Sequence, residues 1–245
     1  MQIDYPLPQP HGEIRRLLPD LFYVPGTARL GPALTVNRNM AILRFGDELV
    51  LVNPVRLRPF QEEKLEDLGR VTHAVRLGYY HGCDDLYYRD RYNLTFWRQL
   101  DSDLYPAPAP DAPLREGGEC PAPTGQFFEF THSCHPEAAL WVPMNGGLLL
   151  TCDALQYWQS WQGCTWLGRN LMRLAGFRRG MQVAPTWRLR MTPRGCDPGR
   201  WLGEDFERLL DLPFVHLLGG HGGFCADTAH EKAEQAVRKS FPGLH

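Results

Sequence analysis

No stretch of this chain stays apolar for the roughly 18 residues that a membrane span requires, so no membrane partner is expected. Charge of one sign is also missing. The formal net charge is −2, which gives no reason to expect nucleic acid as a partner. Met1 to Pro10 holds prolines and an acid in place of a basic and apolar leader, and a cytoplasmic location is the expectation. The seven cysteines are odd in number and lack the spacing of a disulfide framework, which points to reduced thiols. No short-period repeat and no second compositional block interrupt the 245 residues, so a single domain over 1–245 is expected. Hydrophobic residues make up 43%, enough to bury a substantial core.

What is present begins with strands. Glu13–Leu18 and Leu21–Val24 flank the turn-prone Pro19-Asp20, and Met40–Phe45 and Glu48–Val52 form a hairpin around Gly46-Asp47. Pro59–Leu68 has helical spacing, and Val71–Leu77 is a buried strand. Asp84–Tyr92 starts as a helix whose early acids suit the positive end of its dipole. Tyr105–Pro123, rich in Pro and Gly, is a surface connection. Gln126–Thr131, Ala138–Pro143, Leu148–Thr151 and Phe214–Leu218 read as strands, and Trp201–Leu210 and Ala229–Ser240 as helices. Residues 154–195 form an aromatic and basic insertion, with helical periodicity over Asn170–Phe177, that could overhang a site. Two half-sequences of strands followed by a helix suggest an α/β protein, a four-layer αββα sandwich.

Residues with metal-ligand chemistry follow four of the strand-like runs. They are His81-Gly82-Cys83-Asp84-Asp85, then His135, then Asp153, then His221 inside Gly219-Gly220-His221-Gly222-Gly223. Imidazole, thiolate and carboxylate at strand ends are how a metal site is built on a rigid sheet edge. The glycines around His221 permit a close approach that a core histidine does not need. His132 and His216 read as hydrogen-bonded structural residues, with His132 a substitute ligand. Asp153 reads as a ligand or as a helix N-cap. Cys134, Cys152 and Cys225 read as small buried hydrophobes. The arginines at 169, 173, 178, 179, 188 and 190 form either a solvated face or a recognition site for an anionic substrate. The tryptophans of the insertion are packing, a pocket wall or an oligomer contact.

In this order the motifs resemble the metallo-β-lactamase-fold superfamily of metallo-hydrolases, whose first motif is His-x-His-x-Asp-His. The resemblance covers nearly the whole chain and implies metal ligands His81, Cys83, Asp85, His135, Asp153 and His221. One metal would sit with His81, Cys83 and His135, and a second with Asp85, Asp153 and His221, Asp153 bridging. Leu86 stands where the superfamily has a further histidine, and Asn53 where it has an aspartate behind the metal shell. A register one residue away would instead match Asp84-Asp85 to the Asp-His pair and place Tyr80 and Gly82 on the first two ligand positions.

The resemblance implies a metal-dependent hydrolase of an ester, thioester, lactone or phosphoester acting on a small molecule, with Asp153 orienting the attacking group and Asp85, or Asp84 beside it, managing the proton. The thiolate favours zinc, one or two ions, with iron or an empty site as the other outcomes. Two alternatives stand beside it: a non-catalytic binding protein with a decayed metal site, and a redox member of the superfamily. Oligomeric state is not readable.

Overall fold

Alternate residues of the apolar strand Glu48–Val52 choose opposite sides: Val50 and Val52 face a second sheet, and Leu49 and Leu51 face helices. The same period of two recurs in Leu148–Leu150, where Leu148 and Leu150 turn inward between the sheets and Leu149 turns out. The computed structural model describes residues 5–243. The termini assigned above to a single domain, Met1–Asp4 and the last two residues, lie outside the described residues.

The first sheet runs in chain order: β1 (Arg15–Leu18), β2 (Leu21–Gly31), β3 (Leu34–Phe45), β4 (Glu48–Val52), β5 (Arg70–Val75), β6 (Thr95–Arg98) and β7 (Ala112–Pro113). Helices α1 (Pro59–Leu68) and α2 (Asp85–Tyr92) cover its outer face over Phe22, Ile42, Leu65, Tyr88 and Phe96. The second sheet contains β8 (Gln126–Glu129), β9 (Ala138–Val142) and β10 (Leu148–Leu150). Next in chain order come β11 (Leu155–Trp158), α3 (Trp166–Leu174), β12 (Gly180–Val183), α4 (Pro185–Met191) and α5 (Pro198–Leu210). The chain then adds β13 (His216–Leu218) and β14 (Phe224–Cys225) to the second sheet, whose order is β14-β13-β10-β9-β8, and ends in α6 (Ala229–Ser240). Helices α4, α5 and α6 pack on its outer face through Trp187, Phe206, Leu209, Ala233 and Val237. Helix, sheet, sheet, helix is the expected four-layer αββα sandwich.

Three differences from the sequence reading bear on the site. The second and third strands extend well past Val24 and start well before Met40, making a long hairpin with its tip near Gly31–Leu34. The polar run Asn37-Arg38-Asn39 had hidden this, because it breaks the apolar alternation. The residue after Asp153 leads into β11 instead of a helix, so the N-cap reading of Asp153 is corrected: β11 pairs with β12 in a separate hairpin. The helix of the insertion is Trp166–Leu174, earlier than expected, because Thr165 caps it by accepting from the Gly168 amide.

Candidate metal centre

Strands β10 and β13 are parallel and in register, Leu148 opposite His216 and Leu150 opposite Leu218. Asp153 and His221 therefore leave the sheet at the same edge and the same distance along it. The backbone beyond β5 reaches that edge from the first sheet, tied across by a bridge between Gly78 and Glu137. It delivers His81. The outcome is a cluster of three donor atoms, His81 Nε2, His221 Nε2 and Asp153 Oδ1, all within 4.8 Å of one another. The two imidazole nitrogens are 3.1 Å apart, and Asp153 Oδ1 lies 3.0 Å from His221 and 3.5 Å from His81. Among the described residues, no other group of three His, Cys, Asp or Glu converges in this way.

The histidines are set by their surroundings. His221 Nδ1 makes a short bond to the Asn37 carbonyl, so Nδ1 carries the proton and the Nε2 lone pair is left for the cluster. His81 is buried with Nδ1 unpartnered, and burial pushes its pKa down despite Asp153. Burial resists ionisation of Asp153, but His81 and His221 beside it outweigh this and hold its carboxyl well below the usual range. Two imidazoles and a carboxylate facing one point, with one face open to a cavity, fit a divalent ion with a remaining position for water.

Apart from Asn53 and the glycines around His221, support for the cluster comes from residues the sequence reading did not single out. Asn39 donates to the carbonyls of Gly219 and Gly222, at 3.0 and 3.1 Å, and accepts from Asn37. Asn37 Oδ1 in turn accepts from the Gly222 amide. A polar triplet inside an otherwise apolar strand was the available signal. At Gly220, a Cβ would stand 3.1 Å from the His81 ring, which is why the turn must be this close and this bare. Glu137, fully buried, accepts the amides of Asp153 and Ala154 at 2.8 and 3.0 Å. Burial, and Asp153 after it, push the Glu137 carboxyl well up, so it is held neutral. Asn53 receives the Leu77 amide and donates to the Thr151 carbonyl, pinning together the strand ends that lead to His81 and Asp153.

The other expected ligands have different partners. Cys83 Sγ accepts from the Arg38 guanidinium at 2.8 Å, and the same nitrogen bonds Asp84 at 2.8 Å. Asp85 is fully buried and faces Arg76 at 3.2 Å. His135 stacks on the Tyr79 ring, centroids 4.3 Å apart. None of these three joins the cluster, and the pairing of His81 with Cys83 and His135 is replaced by that of His81 with Asp153 and His221. For Cys83 and Asp85 the physical reason is charge: Arg38 and Arg76, both buried, occupy with fixed cations the surroundings of Cys83, Asp84 and Asp85. His132 and His216 are hydrogen-bonded elsewhere, to Asp205 and to the Asn145 carbonyl.

The cluster opens into a cavity of about 670 Å³. Its walls come from the β2–β3 hairpin (Leu34, Val36), from α3 (Leu171, Met172) and from Phe177, with Arg190 at the rim over the Tyr80 ring. A mainly apolar chamber with a few polar groups at one end is the usual form of a small-molecule site.

Two imidazoles and a carboxylate thus converge at one edge of a four-layer αββα sandwich. No family model and no curated protein matches the sequence. Solved structures do match over nearly the full length. A metallo-β-lactamase from Hirschia baltica aligns at TM-score 0.62 and 11% identity, covering 95% of this chain and 99% of that one. The metallo-β-lactamase FIM-1 from Pseudomonas aeruginosa, in a mono-zinc form, aligns at TM-score 0.61 and 12% identity over 96% and 98%. One from Erythrobacter litoralis, with beta mercaptoethanol in the active site, aligns at TM-score 0.63 and 10% identity over 92% and 96%. This chain has the metallo-β-lactamase fold.

Proposed function

We propose that the chain is a metal-dependent hydrolase that binds one ion, zinc, through His81, Asp153 and His221. The observation that carries this reading is the convergence of two imidazole Nε2 atoms and a carboxylate oxygen, with the His221 tautomer fixed by Asn37. An ion held there supplies Lewis acidity and a water acidified towards neutrality. The chain's own residues do the rest. Asp153, ionised and open to the cavity, accepts a proton or orients the attacking water. Asp85 has no part in this, sealed from the cavity beside Arg76. The apolar walls hold the body of a small ester, thioester, lactone or phosphoester, and Arg190 meets an anionic group.

The thiolate argument for zinc does not apply once Cys83 is bonded to Arg38, and zinc now rests on the imidazole–carboxylate set, which iron also accepts. Cys152 and Cys225 are buried as expected, but Cys134, read from the sequence as a small buried hydrophobe, is exposed, and no cysteine stands in the cluster to give a redox role support. Unpaired thiols favour a reducing compartment, the cytoplasm. No helix among the described residues is long and apolar enough to cross a membrane.

Elemental mass spectrometry on protein purified without added metal tests the reading, alongside H81A and H221A and a hydrolysis screen over the four substrate classes. About one ion per chain, lost in both variants, is the expected result for a three-ligand site. A wild-type protein that is empty and refuses zinc overturns it, and leaves the fold as a binding scaffold.

A further inference from the structure

Between Ala154 and Cys196 the sequence contains seven arginines and no acid, in a chain whose formal net charge is −2. Among the described residues, none of these arginines forms an ion pair. The β2–β3 hairpin continues the pattern: no acid occurs from Leu21 to Gly46, and Arg29 stands exposed at the tip. Proteins ordinarily intersperse their surface charges, so an acid-free face of this size is a field of one sign.

The same face is apolar. In α3, Leu167, Leu171 and Leu174 follow the i, i+4, i+7 spacing of an apolar stripe, which in most helices faces the core. Here it faces outward: Leu174 is 84% exposed and Trp166 at the start of the helix 71%. The hairpin tip adds Leu30 at 64%. Thr165 joins the two elements, its amide bonding the Thr35 carbonyl at 3.0 Å and its hydroxyl the Ala33 carbonyl at 2.9 Å. Leu30 and Leu171 both line the cavity mouth, so the patch and the mouth share one side of the molecule. Arg169 and Arg173 flank the stripe on the helix itself.

We propose that this face docks on an anionic lipid bilayer, with α3 and the hairpin tip lying in the interface. Exposed leucine and tryptophan set among arginines on one amphipathic helix is the composition of an interfacial anchor. The absence of acids complements the negative surface potential of a cytoplasmic leaflet. A second copy of this chain is disfavoured as the occupant, because a twofold contact would set these unpaired arginines against one another. Nucleic acid is disfavoured too, since phosphate contacts give no reason for exposed leucines. The sequence reading expected no membrane partner, on the ground that no segment is long enough to span a bilayer, and this proposal departs from that expectation. A surface contact is a different mode, and it does not depend on the hydrolase reading.

Co-sedimentation of the purified full chain with phosphatidylcholine vesicles, with and without phosphatidylglycerol, tests the proposal. Binding is expected on the anionic vesicles, weakened by salt, and near background on pure phosphatidylcholine. Neutralising Arg173→Gln and Arg179→Gln should each lower the partition by roughly fivefold. Trp166→Ser with Leu174→Ser, both at exposed positions where folding is undisturbed, should abolish it. Failure to sediment with anionic vesicles overturns the proposal. So does retention of full binding in both sets of variants, or a patch-dependent dimer that excludes vesicles. Tight binding to a single-stranded RNA that survives loss of Trp166 and Leu174, without vesicle binding, would replace it with a nucleic-acid surface.

Discussion

Replacing Asn39 by alanine removes the clamp on the turn that carries His221. The side chain is 2% exposed and makes three hydrogen bonds, two as donor to the Gly219 and Gly222 carbonyls and one as acceptor from Asn37. Each bond contributes about 1 kcal/mol net, so N39A should lose about 3 kcal/mol of stability. The effect should reach the metal. Asn37, no longer bonded to Asn39, holds both the Gly222 amide and, through its carbonyl, His221 Nδ1. Loss of a supporting hydrogen bond of this kind typically lowers metal affinity by about 10- to 100-fold. Chemical denaturation of the metal-free protein measures the first effect, and zinc titration against a chromophoric chelator the second. N39D provides the control. It keeps the shape but loses both donors, and it should fare no better than alanine. A change under about 0.5 kcal/mol, the range of an uninvolved surface substitution, together with unaltered zinc affinity, would refute the clamp.

Asp85 gives a pH test. Burial pushes its carboxyl up to about 7, against the opposing pull of Arg76 and Arg38. A folded pKa raised in this way contributes stability that is full below the unfolded carboxylate value and is lost as pH rises through 7. D85N does not titrate, so between pH 4 and 8 its stability should improve relative to wild type, by about 4 kcal/mol if the whole shift is expressed. Parallel stability curves would refute the assignment. At Glu137 the expectation is a contrast between two variants. E137Q keeps a neutral acceptor for the amides of Asp153 and Ala154 and should cost under about 1 kcal/mol, whereas E137A leaves two buried amides unpaired and should cost about 3. Equal losses in a denaturation series would show that Glu137 is held as an anion.

Much of the sandwich was written locally. Val50 and Leu51, or Leu148 and Leu149, divide between the two faces of a sheet because side chains alternate along any strand, whatever lies above or below. The residues that the structure brings together, His81, Asp153 and His221, also stand at legible places, each just beyond an apolar strand. The long hairpin was not legible, because Asn37, Arg38 and Asn39 interrupt its apolar pattern, the two asparagines to hold the turn around His221 and Arg38 to bond Cys83 and Asp84. Nor was the outward stripe of α3, since spacing alone marks an apolar face and does not say what covers it.

The sequence by itself determined which residue types stand at the strand ends, the period of the strands and the acid-free stretch from 154 to 196, all properties of neighbouring positions along the chain. Only the tertiary structure decided which ligand candidates meet. The parallel register of β10 with β13 sets Asp153 beside His221, and Arg38, 45 residues before Cys83, takes the thiol that would otherwise have faced a metal. A ligand set is a matter of distances of a few ångströms between segments far apart in the chain. Those distances are fixed by packing and by competition among buried charges, which no local pattern encodes.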